Sequence, residues 1–295
     1  MHSHYVGRFA PSPTGPLHFG SLVSALASYL DAKANHGQWL LRIEDVDQTR
    51  CKPHYIQEII NCLSSYNLES DSPILLQSEH TTLYQTYLDQ LKVQGQVFPC
   101  NCTRQTLQLT QNKHIGNCNG TIQSPHSWRL RIQAENLRYI DPIQGDLTFT
   151  LNQRTTCPIL KRKDQLFSYQ LAVVVDDHKQ GITHIVRGSD LLETTDTQLY
   201  LYKLLGWTPP SIAHIPLILD PYKQKISKQN HAQALPHGEP FVLKAALSYL
   251  GIPECSSKDI LTILEHATLA WSLAPLKGKK TLDIQPQHAC LAFQT

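Results

Sequence analysis

Three groups of side chains in this sequence have the types and spacing to do chemistry. The first lies in "PSPTGPLHFGS", residues 11–21, where three prolines, two glycines and one histidine precede a run with helical spacing. Prolines pre-set the backbone and lower the entropy lost on ordering, while Gly15 and Gly20 let main chain approach a ligand closely. A helix amino terminus offers unsatisfied N–H groups and a partial positive charge, which suits phosphate, and His18 is placed to add a donor there. Taken alone, the stretch reads equally well as a Pro-rich turn with a surface histidine. The second group is "KISK", where Lys225 and Lys228 flank an apolar anchor and a serine. Two ammonium groups so spaced can close over a polyphosphate and offset charge on a leaving pyrophosphate, although an isolated Lys-rich loop is usually solvated surface. The third is Cys100, Cys102, His114 and Cys118: Cys-x-Cys, a gap of eleven residues, then His-x₃-Cys. This is a donor set that structural zinc prefers, and four protein ligands leave no position open for water. Two buried thiols beside an unrelated histidine is the competing reading, and His126 rivals His114 for the fourth place.

These groups need elements to position them. Residues 5–10 read as a short buried strand and 38–45 as a second. Between them, 20–37 read as a helix whose Leu22, Val23, Leu26, Tyr29 and Leu30 share one face. Strand, helix, strand within fifty residues is a βαβ unit, which implies a parallel sheet with a ligand site at the carboxyl ends of its strands. Helices follow near 55–66 and 82–94. From 98 to about 151 the alternation stops and cysteines, polar turns and short strands suggest an insertion. The α/β rhythm returns with a helix inside 167–181, a strand at 182–188, a well-capped helix at 189–206 and a last buried strand at 212–219. The tail from 236 reads as mainly helical. Expected divisions are 1–97, 98–151, 152–235 and 236–295.

A chain of 295 residues, 41% of them hydrophobic, can bury a sizeable core. With 26 Lys and Arg against 24 Asp and Glu, the net charge of +2 creates no global field for nucleic acid, so any RNA contact must be local. No run approaches the roughly 18 apolar residues of a membrane helix, and "MHSHYVGRFAPS" lacks the apolar core of a signal peptide. A cytoplasmic protein with no membrane partner is expected. In a reducing cytosol, three of eight cysteines within nineteen positions suggest metal rather than disulfides.

"RFAPSPTGPLHFGS", "RIEDVDQTR", "VRGSDLL" and "KISKQ", in that order over roughly 230 residues, resemble class I glutamyl-tRNA synthetases. "HFGS" stands where the HIGH motif of that class would be and "KISKQ" where KMSKS would be. Only about 65 residues follow, too few for the long helical anticodon-binding region, so the chain most resembles the shortened paralogous family, the glutamyl-Q tRNA(Asp) synthetases. The resemblance implies a Rossmann-type α/β fold split by a zinc-bearing insertion, with a short helical carboxyl-terminal region. It also implies activation of L-glutamate with ATP and Mg²⁺ without tRNA, then transfer to queuosine-34 in the anticodon of tRNA(Asp). A truncated enzyme charging a tRNA 3′ end, or a catalytically silent RNA-binding paralogue, are the alternatives. A monomer is expected.

The resemblance also distributes roles. His18, Lys225 and Lys228 serve catalysis, and His18, Gly20, Ser21 and Lys228 bind ATP. Arg8, Phe9, Ala10, Pro11 and Ser12, with Glu44, Tyr169 and Arg187, hold glutamate. The two arginines should meet carboxylates, Glu44 the α-ammonium, and Tyr169 should offer its hydroxyl. The paralogues carry a similar zinc site, often with tyrosine where this chain has His114. Asp176 and Asp177 of "VVVDD" are assigned to fold or tRNA contacts, since activation requires neither. The charge runs "KRKD" and "KGKK" are read as solvated, with RNA phosphate contact as the alternative.

Overall fold

The first strand, β1 (Val6–Phe9), runs into the proline-rich loop, and α1 (Phe19–Ala34) returns the chain to β2 (Gln38–Ile43), which pairs with β1 in parallel. This is the expected βαβ unit, seen in a computed structural model that describes residues 4–108, 114, 118, 122–152, 156–226 and 233–291. Leu22, Leu26 and Leu30, four residues apart on α1, are fully buried and join Trp39, Leu41 and Ile43 of β2 in one core. After α2 (Pro53–Ser65), the two-residue β3 (Leu75–Leu76) extends the sheet in parallel beyond β2, and α3 (Thr81–Val93) follows.

The alternation then stops, as the sequence suggests. β4 (Val97–Cys100), the one-turn α4 (Arg104–Leu107), β5 (Ser127–Leu130), the hairpin β6 (Glu135–Asp141) and β7 (Gly145–Leu151), and β8 (Ile159–Lys161) come in succession. β4, β5 and β8 form a small antiparallel sheet, which therefore reaches past residue 151. Parallel structure returns with α5 (Tyr169–Lys179), β9 (His184–Gly188), α6 (Leu192–Leu205) and β10 (Ser211–Ile215), with β9 and β10 paired in parallel. The Thr183 N–H donates to the Val6 carbonyl at 2.9 Å, which sets β9 beside β1. β11 (Leu217–Leu219), α7 (Pro240–Tyr249), α8 (Ile260–Ala270) and β12 (Thr281–Asp283) complete the chain.

Two expectations are corrected. The strand expected at 212–219 is broken at Pro216, which has no N–H to donate; β10 stays with β9 while β11 pairs with β12, so the last strand belongs to the tail. The helix expected from Ser189 begins at Leu192 after a 3₁₀ turn, because the Ser189 hydroxyl donates to the Lys280 carbonyl instead of capping.

Candidate active site

The carboxyl ends of β1, β2, β9 and β10 surround a cavity of about 470 Å³. Phe9, Ala10, Pro11 and Ser12 line it as the chain leaves β1, Glu44 as it leaves β2, and Arg187 near the end of β9. His18, Gly20 and Ser21 come from the start of α1, Tyr169 from the start of α5, and Lys225 from the loop after β11. Arg8 lines it too, so every described residue to which the resemblance gave a role in binding glutamate or ATP meets in one cavity. Lys228 lies outside the described residues.

The entry to α1 is more constrained than a loop with an added donor. His18 is the helix N-cap: its Nδ1 accepts from the Ser21 N–H at 3.3 Å, and the Ser21 hydroxyl accepts from the His18 N–H at 3.4 Å. This reciprocal capping box satisfies two backbone donors. It also fixes the neutral ring's proton on Nε2, since Nδ1 is an acceptor. A Cβ on Gly20 would lie 3.3 Å from the His18 ring and 3.4 Å from the Ile226 carbonyl, so the missing side chain lets ring and loop close together. Ile226 is buried in the main core, and it anchors the loop beside Lys225, whose ammonium pairs with Asp190 at 2.5 Å.

Opposite charges are stacked behind the cavity. Arg8 pairs with Asp177 through two bonds of 3.1 and 3.3 Å, and Arg42 reaches the same carboxylate at 2.8 Å. Register explains the meeting: Arg8 lies opposite Leu40, and Arg42 is two residues further on the same face of β2. Arg42 then touches Glu44 at 3.4 Å. Burial pushes the Glu44 carboxyl up to about 7, with Arg42 and Arg8 acting against that rise. Burial also raises the Tyr169 phenol, keeping it a neutral donor. Asp177 is desolvated too, yet Arg42 and Arg8 hold it below the ordinary carboxylate value. Asp176, one residue earlier, receives the Tyr84 hydroxyl at 2.6 Å and the Gln77 amide at 2.9 Å. Both aspartates are buried and tie α5 to neighbouring elements, in keeping with a role in the fold.

Arg187 is held differently. β9 and β10 are register-matched at Arg187 and His214, and the Arg187 Nε donates to His214 Nε2 at 3.1 Å. Its other nitrogens donate to Gln198 Oε1 at 2.7 Å and Thr195 Oγ1 at 2.9 Å. Burial lowers the Arg187 guanidinium below its usual range. His214, Thr195, Gln198 and Asp190 escaped the sequence reading, as did the arginine partners of Asp177; a histidine inside the apolar strand "IAHI" was the one available signal.

Cys100, Cys102, His114 and Cys118 converge, with one ligand atom from each all within 4.8 Å of one another. Cys102 and Cys118 sulfurs are 3.7 Å apart, near the roughly 3.8 Å that two sulfurs span around a tetrahedral ion with bonds of about 2.3 Å. Burial, then the neighbouring thiols, push Cys102 up to about 12, so thiolates gather here only with a cation among them. His114 takes the fourth position; His126 instead packs edge-on to Trp128. Arg162 of "KRKD" is bonded to Asp47 at 3.1 Å and Asp164 at 2.6 Å, which occupies that charge within the protein.

No helix among the described residues is long and apolar enough to cross a membrane. A family profile described as tRNA synthetases class I (E and Q), catalytic domain, matches residues 5–265. A protein named Glutamyl-Q tRNA(Asp) synthetase from Thiobacillus denitrificans is 48% identical over 281 residues, covering 91% of this chain and 93% of that one. Its namesake from Escherichia coli K12 is 43% identical over 277 residues, covering 92% and 90%. The crystal structure of glutamate-tRNA synthetase from Elizabethkingia anophelis superposes with a TM-score of 0.80 at 23% identity, covering 97% of this chain and 69% of that one, a likeness of fold. The chain belongs to the class I tRNA synthetase family of the E and Q type, in its glutamyl-Q tRNA(Asp) synthetase group.

Proposed function

We propose that this protein activates L-glutamate with ATP in the cavity at the ends of β1, β2, β9 and β10, then transfers it to queuosine-34 of tRNA(Asp). The carrying observation is that a buried Arg187, a carboxyl at Glu44 and the capped start of α1 face one space, matching a carboxylate, an ammonium and a phosphate. The glutamate α-carboxylate attacks the α-phosphorus of ATP, and the bond to pyrophosphate breaks. The nucleophile is already ionised, so no side chain need take a proton, and catalysis rests on positioning and charge. His18 donates from Nε2 toward phosphate oxygens, while Lys225 and Lys228 close over the leaving pyrophosphate with the Mg²⁺ that ATP carries. In the second step a hydroxyl of the queuosine base attacks the acyl carbon, forming an ester and releasing AMP and a proton.

Zinc fits the donor set of Cys100, Cys102, His114 and Cys118, where it supplies cross-linking of the insertion and no chemistry. A division into four parts, with the small sheet carried on to β8 and β11 paired with the tail, a single-chain enzyme and a cytoplasmic setting complete this reading. Glutamate-dependent exchange of pyrophosphate into ATP, measured without tRNA, tests it. Exchange with glutamate and none with glutamine is expected; no exchange with glutamate refutes the activation step.

A further inference from the structure

Arg8 and Arg187 are both buried arginines at the cavity, but the protein treats their charges in opposite ways. Arg8 is neutralised by direct contact with Asp177. Arg187 bonds to an imidazole, an amide and a hydroxyl, all formally neutral. Asp141 stands one group away, behind His214: Asp141 Oδ2 meets His214 Nδ1 at 2.6 Å, and His214 Nε2 faces Arg187. Asp141 Oδ1 is committed separately, accepting the Ile143 and Gln144 N–H groups at 2.8 and 2.9 Å.

Hydrogen-bond direction fixes the tautomer. Arg187 Nε can only donate, so His214 Nε2 must accept, and the ring proton must sit on Nδ1, where Asp141 receives it. Thr195 Oγ1, also 3.1 Å from Nε2, donates to the Leu191 carbonyl at 3.2 Å, which leaves Nε2 to the guanidinium. We infer that Asp141 and His214 are positioning residues that make the site choose glutamate over glutamine. They hold the Arg187 fork in place through a neutral ring, so its positive charge is fixed with no carboxylate bonded to it among the described residues, and is left to the substrate's side-chain carboxylate. A carboxylate placed directly on Arg187 would cancel that charge, as Asp177 does for Arg8. A glutamine amide leaves it buried and unpaired, which is the costly state. Asp141 lies at the end of β6, so the hairpin after the small sheet's second strand carries part of the substrate preference. This rests on the glutamate-activating reading of the cavity.

Asp141→Asn is the test. Its oxygen can keep the two backbone bonds, but its amide now donates to His214 Nδ1, driving the proton to Nε2 and turning a donor against Arg187 Nε. The expected result is a rise of about tenfold or more in KM for glutamate with the KM for ATP unchanged, and a fall in the preference for glutamate over glutamine in pyrophosphate exchange and calorimetric binding. His214→Gln, which has no tautomer and can offer its amide oxygen to Arg187, should lose less, and adding Asp141→Asn to it should change little. An Asp141→Asn protein of near-native melting temperature that keeps the wild-type preference overturns the inference alone. So does an effect equally large in the His214→Gln background. A wild-type protein that binds neither amino acid overturns the functional reading and this inference with it.

Discussion

Asp177 is the residue whose removal tests the buried charge arrangement most sharply. It is held on α5 at 2% exposure, and it serves Arg8 at 3.1 Å and Arg42 at 2.8 Å. Arg42 keeps Glu44 and Gln180 when Asp177 becomes Asn, but Arg8 has no other ion-pair partner among the described residues. Breaking a buried pair by neutralising one member leaves a desolvated charge and costs about 3–5 kcal/mol. The acid dependence has a definite sign. Its folded pKa lies below the ordinary 3.8, so its contribution is fully present above pH 3.8 and is lost as pH falls through the folded value. Urea unfolding of Asp177→Asn followed by circular dichroism should show the loss at pH 7 and a flatter acid limb. Exposed Arg138 and Asp146, paired across β6 and β7, give the control: Asp146→Asn should leave the midpoint where it is. A loss below about 1 kcal/mol for Asp177→Asn would refute the claim that this carboxylate is what neutralises Arg8.

Three further outcomes follow from the same geometry. His18→Ala removes both the cap and the cavity donor, whereas His18→Asn restores a good cap without the donor; melting temperatures should separate the two, while pyrophosphate exchange falls about 100-fold or more in both and far less in Ser21→Ala. Equal losses in His18→Ala and Ser21→Ala would contradict the assignment. Glu44 must be ionised to hold an ammonium, and with its carboxyl at about 7 glutamate affinity should fall about tenfold per unit below pH 7. The Glu44→Gln variant should bind weakly at all pH values, and a wild-type affinity flat from pH 5 to 8 would count against the role. Because that folded pKa lies above the ordinary 4.5, neutral Glu44 also favours the ligand-free fold below pH 4.5, and this advantage disappears as pH rises through about 7. Native mass spectrometry should find one zinc ion per chain, lost in Cys102→Ser together with a lower melting temperature; a full zinc content in that variant would exclude the proposed ligand set.

What could be read from the sequence was what local pattern encodes. The helical spacing of Leu22, Leu26 and Leu30 placed α1 to within a few residues. The Cys-x-Cys and His-x₃-Cys pairs predicted a cluster that the fold assembles. Contacts between distant segments were not legible. Asp177 lies 169 positions from Arg8, and Asp141 lies 73 from His214, so only tertiary structure joins them. Even the Ser189 hydroxyl, a good cap by type, is claimed by a carbonyl 91 positions away. His18 showed the converse: a candidate phosphate donor was visible, but its second task as N-cap depends on ring orientation, which spacing does not specify.

The measurement that bears most directly on the central claim is transfer of radiolabelled glutamate by this protein, with ATP, to RNA from cells that make queuosine and from cells that do not. Label is expected on tRNA(Asp) from the first source and none from the second. Equal labelling of both, or label confined to a tRNA 3′ end, would contradict it.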